Sequence, residues 1–215
     1  MEIKDLLKKD LMILDLKAST KMEAIDEMIA RLKEKNIISD EVIFKDLILK
    51  REGKSSTGLG EGIAMPHAKT SVVNTPAVLF ARSNKGIDYD ALDGEPVYIF
   101  FMIAASEGAH DLHIDTLAKL SKMLLNDDFT NGLKTCGTPD EVYALVDKYS
   151  EKPQEDIKKE VKETQSTNKK KILAVTACPT GIAHTYMAEA ALKEAGEKLG
   201  VDVKVETNGA DGIKN

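Results

Sequence analysis

Between Ser150 and Lys171 the chain has almost nothing with which to build a core. These 22 residues hold seven Lys and five Asp or Glu, with Ile157 and Val161 as the only large apolar side chains. Neither Gly nor an aromatic residue occurs in them. Such a segment buries too little apolar surface to offset the entropy of ordering it. It reads as a charged flexible linker, with transient helix around Gln154–Thr164. It divides the chain into residues 1–149, a linker at 150–171 and a tail at 172–215, so that no single core can run the whole length.

The first part alternates helix and strand signals. Leu11–Leu16 is a short apolar run. Thr20-Lys21-Met22-Glu23 is a capping box. The helix it opens carries Ile25, Met28, Ile29 and Leu32 on one face. A second helix spans about 40–52. Ala77–Arg82 and Val97–Ala105 are β-rich, with turn residues at Asn84–Gly86 and Asp93–Pro96. Helices follow at about 110–125 and, after Thr138-Pro139, at about 140–149. The expected class is α/β, a mixed sheet flanked by helices. The tail reads as a strand (Ile172–Ala177), a tight loop, a helix ending near Gly200 and a second strand (Val201–Thr207). That is one parallel, Rossmann-like β-α-β unit. At roughly 40 residues such a unit is too small to stand alone. The sheet is therefore expected to be incomplete, and the chain to be a fragment of a longer architecture.

Composition removes several function classes. The net charge of −6 argues against a nucleic-acid binder. Trp is absent and Tyr and Phe total ten, too few for a stacking platform. The longest apolar run, Val97–Ala105, has nine residues, against about 20 for a membrane span. The acidic N-terminus is no secretory signal. Two cysteines, Cys136 and Cys178, make no disulfide framework and suit a reducing cytoplasm.

The most informative stretch runs from Arg51 to His67. Gly58, Gly60 and Gly62 permit tight turns and close backbone approach. Pro66 stiffens the approach to His67 and biases Met65 to an extended shape. The glycines do not fit a dinucleotide fingerprint, and no apolar strand precedes them. On spacing alone, a glycine-rich surface loop with an incidental histidine fits as well as a reactive site. A neutral imidazole at cell pH leaves one ring nitrogen free to act as a nucleophile. Arg51 reads on its own as a solvated helix-end arginine, whose planar fork of donors could also meet an oxyanion. His113 shares a helical face with Leu117, Leu120 and Leu124, as a core histidine also would. His110-x-x-His113 lacks the further ligands of a metal site, and no metal is expected.

In the tail, Cys178-Pro179-Thr180-Gly181-Ile182-Ala183-His184 lies between a strand and a helix. A cysteine there sits before a helix N-terminus, where free N–H groups favour a thiolate and cradle phosphate. A small buried cysteine ending a strand is the plainer reading. Cysteine phosphatases place Arg where His184 stands, so hydrolysis is disfavoured and onward transfer is not. Cys136, in a loop before a helix, reads as structural.

Glu52, Leu59, Gly60, Ile63, Ala64, Met65, Pro66 and His67 stand at the spacing of the phosphohistidine signature of the fructose/mannitol-type enzyme IIA domain. That domain belongs to the bacterial phosphoenolpyruvate-dependent sugar phosphotransferase system (PTS). The resemblance covers most of residues 1–149 and includes Arg51 and His113-Ile114-Asp115-Thr116-Leu117. The run Thr176–Ala190 resembles the opening of a fructose-type IIB domain. The resemblance implies that His67 receives a phosphoryl group from phosphorylated HPr and that Cys178 takes it from His67. Cys178 would then pass it to fructose with a membrane IIC component that is absent from this chain. It implies His113 as a second active-site histidine, Arg51 as a phosphate stabiliser, and Pro179, Thr180, Gly181, Ile182, Ala183 and His184 as the phosphate loop. Gly58, Gly60 and Pro66 would shape the histidine loop. The implied activity is that of a protein-N-phosphohistidine–D-fructose phosphotransferase component. No cofactor is implied. The IIB partner is the chain's own or another copy's, and the location is cytoplasmic, at the inner membrane through IIC. As a flexible coil, the linker would span about 26 Å and give effective concentrations on the order of millimolar. The alternative is a regulatory IIA-type phosphocarrier controlling a partner protein.

Overall fold

The apolar run at 97–105 becomes the centre of the molecule's larger sheet. In the computed structural model every residue of strand β5 (Val97–Ala105) except Tyr98 is buried. The structure describes residues 3–107, 110–150, 171–177 and 199–208, with 185, 188–189, 191–193 and 195–196. For 110–115, 171, 177 and 207–208 the description is of the backbone alone.

The chain opens with α1 (Ile3–Leu6) and a 3-10 turn (Lys9–Leu11), followed by α2 (Lys21–Glu34) and α3 (Glu41–Glu52). Thr20 and Glu23 complete the capping box in both directions, and Asp40 caps α3 through the Ile43 N–H at 2.9 Å. Three short strands follow, β1 (Gly58–Gly60), β2 (Ile63–Ala64) and β3 (His67–Lys69), and then β4 (Ala77–Ile87). After β5 come α4 (His110–Leu124), α5 (Asp127–Thr135) and α6 (Pro139–Ser150).

The sheet is mixed. β4 runs antiparallel to β5 on one side. On the other side β2 and β3 lie end to end, both parallel to β5. β1 turns back antiparallel on β2. Side chains alternate between two cores with the period of a strand. Phe100, Met102 and Ala104 face the core shared with α2 and α3. Ile99, Phe101 and Ile103 face the core shared with α1 and α4 to α6. Both faces are therefore covered, which is why this strand reads as a continuous apolar run rather than an alternating one. Full burial of each phenylalanine contributes roughly 1.5–3 kcal/mol.

Several elements depart from the sequence expectations. The loop before His67 contains β1 and β2, too short and glycine-rich to announce themselves. β4 passes through the turn expected at Asn84–Gly86 and continues to Ile87, with an irregular register between Arg82 and Ile87. Gly86 absorbs that irregularity at φ 77°. Helix α5 was not expected. Asn126 caps it through the Phe129 N–H at 3.0 Å. Its far end is held by Arg82, whose Nη1 donates to the carbonyls of Lys134 at 3.1 Å and Cys136 at 2.6 Å. Arg82 Nε donates to Leu14 O at 3.2 Å. Cys136 is buried.

In the tail, β6 (Lys171–Ala177) and β7 (Asp202–Asn208) pair in parallel. The described residues at 185, 188–189, 191–193 and 195–196 are helical, and Gly200 has φ 66°, the left-handed backbone that ends helices. Ile172, Leu173 and Val175 are 49%, 79% and 52% exposed. Among the described residues, β6 therefore has none of the two-sided cover that β5 has. Of the linker expected at 150–171, Ser150 ends α6 and Lys171 begins β6; residues 151–170 lie outside the described residues.

Candidate active site

His67 is the first residue of β3 and pairs with Ile103 of the central strand. Pro66 separates it from β2. Because Pro66 has no N–H, it contributes only its carbonyl, which accepts from Ile103 N–H at 2.9 Å. The preceding Met65 is buried, and its N–H turns to Thr57 O at 2.9 Å. The parallel edge is thus broken for two residues immediately before the imidazole.

Two bonds fix the half-buried ring. Nδ1 lies 2.8 Å from Met65 O. A carbonyl only accepts, so Nδ1 must carry the proton. Arg51 Nε donates to Nε2 at 3.2 Å, which requires a lone pair there. The hydrogen-bond partners therefore assign the neutral Nδ1–H tautomer. Arg51 stands in the last turn of α3, and its Nη1 also donates to Ser55 O at 2.9 Å. That second bond ties the guanidinium to the turn leading into the loop.

The loop itself is clamped from below. Gly58 packs against Ala91, where an added Cβ would lie 2.8 Å from the Ala91 Cα. Gly60 has φ 99° and Glu61 φ 55°. The Asp93 carboxylate accepts from Glu61 N–H at 2.7 Å and from Glu95 N–H at 3.1 Å. The N–H groups of Glu95 and then Glu61 hold the Asp93 carboxyl below its ordinary pKa.

Beneath the loop lies a charge cluster that the sequence reading did not assemble. The Glu52 side chain is only 5% exposed and meets Lys21 Nζ at 3.0 Å. It accepts from the Thr57 N–H at 3.1 Å, from the Thr57 hydroxyl, and from the Tyr89 hydroxyl at 3.3 Å. Lys21 also stands 4.6 Å from the centre of the Tyr89 ring. Burial first, and the Glu52 charge second, push the Tyr89 phenol well above its ordinary pKa, so it remains a donor. Glu52 carried a signal only as one position of the signature. Lys21 and Tyr89, 31 residues before it and 37 after it, carried none.

The structure brings Arg51, Glu52, Gly58, Gly60, Pro66 and His67 into one region. His113 lies in the early part of α4, and its side chain is outside the description. Cys178, Pro179, Thr180, Gly181, Ile182, Ala183 and His184 also lie outside the described residues. Among the described residues no three of His, Cys, Asp and Glu gather as a metal set, and no helix is long and apolar enough to cross a membrane.

Comparison with known proteins gives two family matches. Residues 5–149 match the phosphoenolpyruvate-dependent sugar phosphotransferase system EIIA 2 model. Residues 173–215 match the model of the PTS lactose/cellobiose-specific IIB subunit. The fructose-specific EIIABC component of Bacillus subtilis is 45% identical over 215 residues, all of this chain and 34% of that protein. The 2-O-alpha-mannosyl-D-glycerate-specific EIIABC component of Escherichia coli is 35% identical over 217 residues, all of this chain and 32% of that one. The chain thus spans about a third of the length of these curated relatives. Among solved structures, the nitrogen regulatory protein IIA-Ntr of Neisseria meningitidis superposes with a TM-score of 0.63 at 28% identity. It covers 67% of this chain and 98% of its own.

Proposed function

The chain belongs to the EIIA 2 family of the phosphoenolpyruvate-dependent sugar phosphotransferase system, with a IIB-type segment behind it, and on that premise we propose that His67 carries a phosphoryl group on Nε2 from HPr to Cys178. The observation that carries this reading is the pair of bonds on the ring. Nδ1 is occupied as a donor to Met65 O, and the lone pair is on Nε2, facing Arg51.

In the first step the Nε2 lone pair attacks phosphorus. The N–P bond of the phosphorylated carrier breaks, and its electron pair returns to the donor ring. The proton stays on Nδ1, still donated to Met65 O. Arg51, displaced from the lone pair, offers its N–H groups to the phosphoryl oxygens, where charge is greatest. In the second step the Cys178 thiolate attacks, the Nε2–P bond breaks and an S–P bond forms. The phosphate loop 179–184 would hold the group before it passes to a sugar with a membrane IIC component, which would place the chain on the cytoplasmic side of the membrane. Fructose is the proposed sugar, after the match of the whole of this chain to 34% of the fructose-specific Bacillus subtilis protein. A regulatory phosphocarrier would have no use for the IIB-type segment, which decides against that alternative.

The test is incubation of the full chain with phosphoenolpyruvate, enzyme I and HPr, followed by intact-mass counting of phosphoryl groups. The wild type should take up two. Cys178→Ser should take up one and His67→Ala none. Uptake by His67→Ala at the wild-type rate would sink the reading. Phosphorus–nitrogen coupling in the singly labelled chain should locate the group on Nε2.

A further inference from the structure

We infer that Glu52, fixed by Lys21, is a positioning residue for His67: it holds the imidazole in its Nδ1–H form through Thr57 and Met65. The inference rests on the phosphoryl-carrying role proposed for His67. Its geometry consists of four consecutive contacts. Lys21 Nζ pairs with Glu52 Oε2 at 3.0 Å. Thr57 N–H donates to the same oxygen at 3.1 Å, and the Thr57 hydroxyl donates to Oε1. Thr57 O accepts from Met65 N–H at 2.9 Å. Met65 O accepts from His67 Nδ1–H at 2.8 Å.

Each contact removes a freedom that the next one needs. Glu52 grips Thr57 at both its main chain and its side chain, so the Thr57 carbonyl cannot swing. That carbonyl sets the plane of the Ala64–Met65 peptide. Pro66 then limits how the Met65 carbonyl can turn, because the residue before a proline is confined to extended backbone. The carbonyl is left aimed at Nδ1. A carbonyl held there admits only a protonated Nδ1, and in the neutral ring the lone pair is then on Nε2, where Arg51 Nε donates to it.

Charge supports the same reading. A carboxylate buried this deeply is costly unless it is paired and fully hydrogen-bonded. Here it has a cation, a neutral phenol, a hydroxyl and a peptide N–H as partners. Lys21 balances its charge, so that Glu52 need not draw on the neighbouring Arg51. Arg51 and Glu52 are adjacent in sequence, yet their side chains serve different ends of one site. Arg51 meets the face of the ring where the phosphoryl group arrives, and Glu52 governs the opposite nitrogen through the loop.

Nitrogen-15 spectroscopy of histidine in the full-length, unphosphorylated chain reads the tautomer directly. Rates of phosphoryl acceptance from phosphorylated HPr read the consequence. In Glu52→Gln the His67 nitrogen shifts should move toward a mixture of tautomers. The kcat should fall roughly tenfold to hundredfold, the size expected of a reacting group displaced by a fraction of an ångström to an ångström. KM for the donor should be unchanged, because Glu52 is shielded from an incoming protein. A folded Glu52→Gln chain with wild-type nitrogen shifts and wild-type kcat would overturn the inference. If that variant does not fold, Thr57→Val decides. It deletes one hydroxyl bond and keeps the main chain, and it should shift the His67 nitrogens in the same direction with a fall in kcat of about threefold, the scale of one net hydrogen bond. Unmoved nitrogens in Thr57→Val overturn the inference. The tautomer readout needs no phosphoryl transfer. A wild type that takes up nothing, while Glu52→Gln shifts the ring, would therefore refute the proposed function and leave the positioning role standing.

Discussion

Arg51 Nε and His67 Nε2 meet at 3.2 Å across a separation of sixteen residues. The guanidinium thus already occupies the place where a phosphoryl group on that nitrogen would put its oxygens. Replacing Arg51 by Met should lower phosphoryl acceptance by about 10²–10³ in kcat, as removal of a charge-stabilising donor does. Arg51→Lys should recover part of the loss, because charge returns without the planar fork. Rapid-quench transfer from phosphorylated HPr measures both.

Asp93 links the glycine turn to acidity. Its carboxyl is held below the ordinary value by Glu95 and Glu61 N–H groups. A depressed folded-state pKa means that the clamp is fully present above the unfolded value, about 3.9. It is lost as pH falls through the lower folded value. Amide exchange at Glu61 should therefore quicken, after correction for intrinsic rate, only in strongly acid solution. In Asp93→Asn, the fast exchange should already be present at neutral pH.

Gly58 tests the packing of the loop. A Cβ there would stand 2.8 Å from the Ala91 Cα, which is backbone and has no rotamer to yield. Gly58→Ala should cost about 1–3 kcal/mol, read as a lower urea midpoint at unchanged m-value. Gly94→Ala is the comparison: nothing lies within 4 Å of its added Cβ, so only the left-handed backbone at φ 73° resists. Its loss should be smaller.

Arg82 joins parts of the chain that are remote in sequence. Its guanidinium donates to the Leu14, Lys134 and Cys136 carbonyls. Arg82→Met keeps much of the stem and removes the donors, leaving carbonyls at the end of α5 without this partner. The expected loss is about 2–4 kcal/mol, measured by chemical denaturation. Protection should fall first in α5.

What the sequence made legible depended on range. Thr20 and Glu23 are three residues apart, so their reciprocal cap could be read directly, and it forms. The run 97–105 could be read as a strand because burial on both faces removes any need for alternation. Helix α5 hid because its nine residues bury only two large apolar side chains, Phe129 and Leu133, with the poor helix former Gly132 between them. β1 and β2 hid because two or three residues carry no period. The Glu52 cluster was illegible for a different reason. Lys21, Glu52, Thr57 and Tyr89 come from three separate regions, and each alone looks like an ordinary polar surface residue. Only the antiparallel packing of α2 against α3, with the segment 89–91 laid beneath the loop, gathers them around one carboxylate.

The break at Pro66 has a consequence for how this edge meets other proteins. A domain that handles a group passed between proteins must leave its reactive edge open to visitors, and an open strand edge is ordinarily a template for unwanted pairing. Here the strand after the break is three residues long, with only Lys69 of it exposed, and the stretch before it is already covered by β1. Another strand finds too few main-chain groups in line to adhere. The proline that aims the histidine also keeps the doorway from becoming a seam.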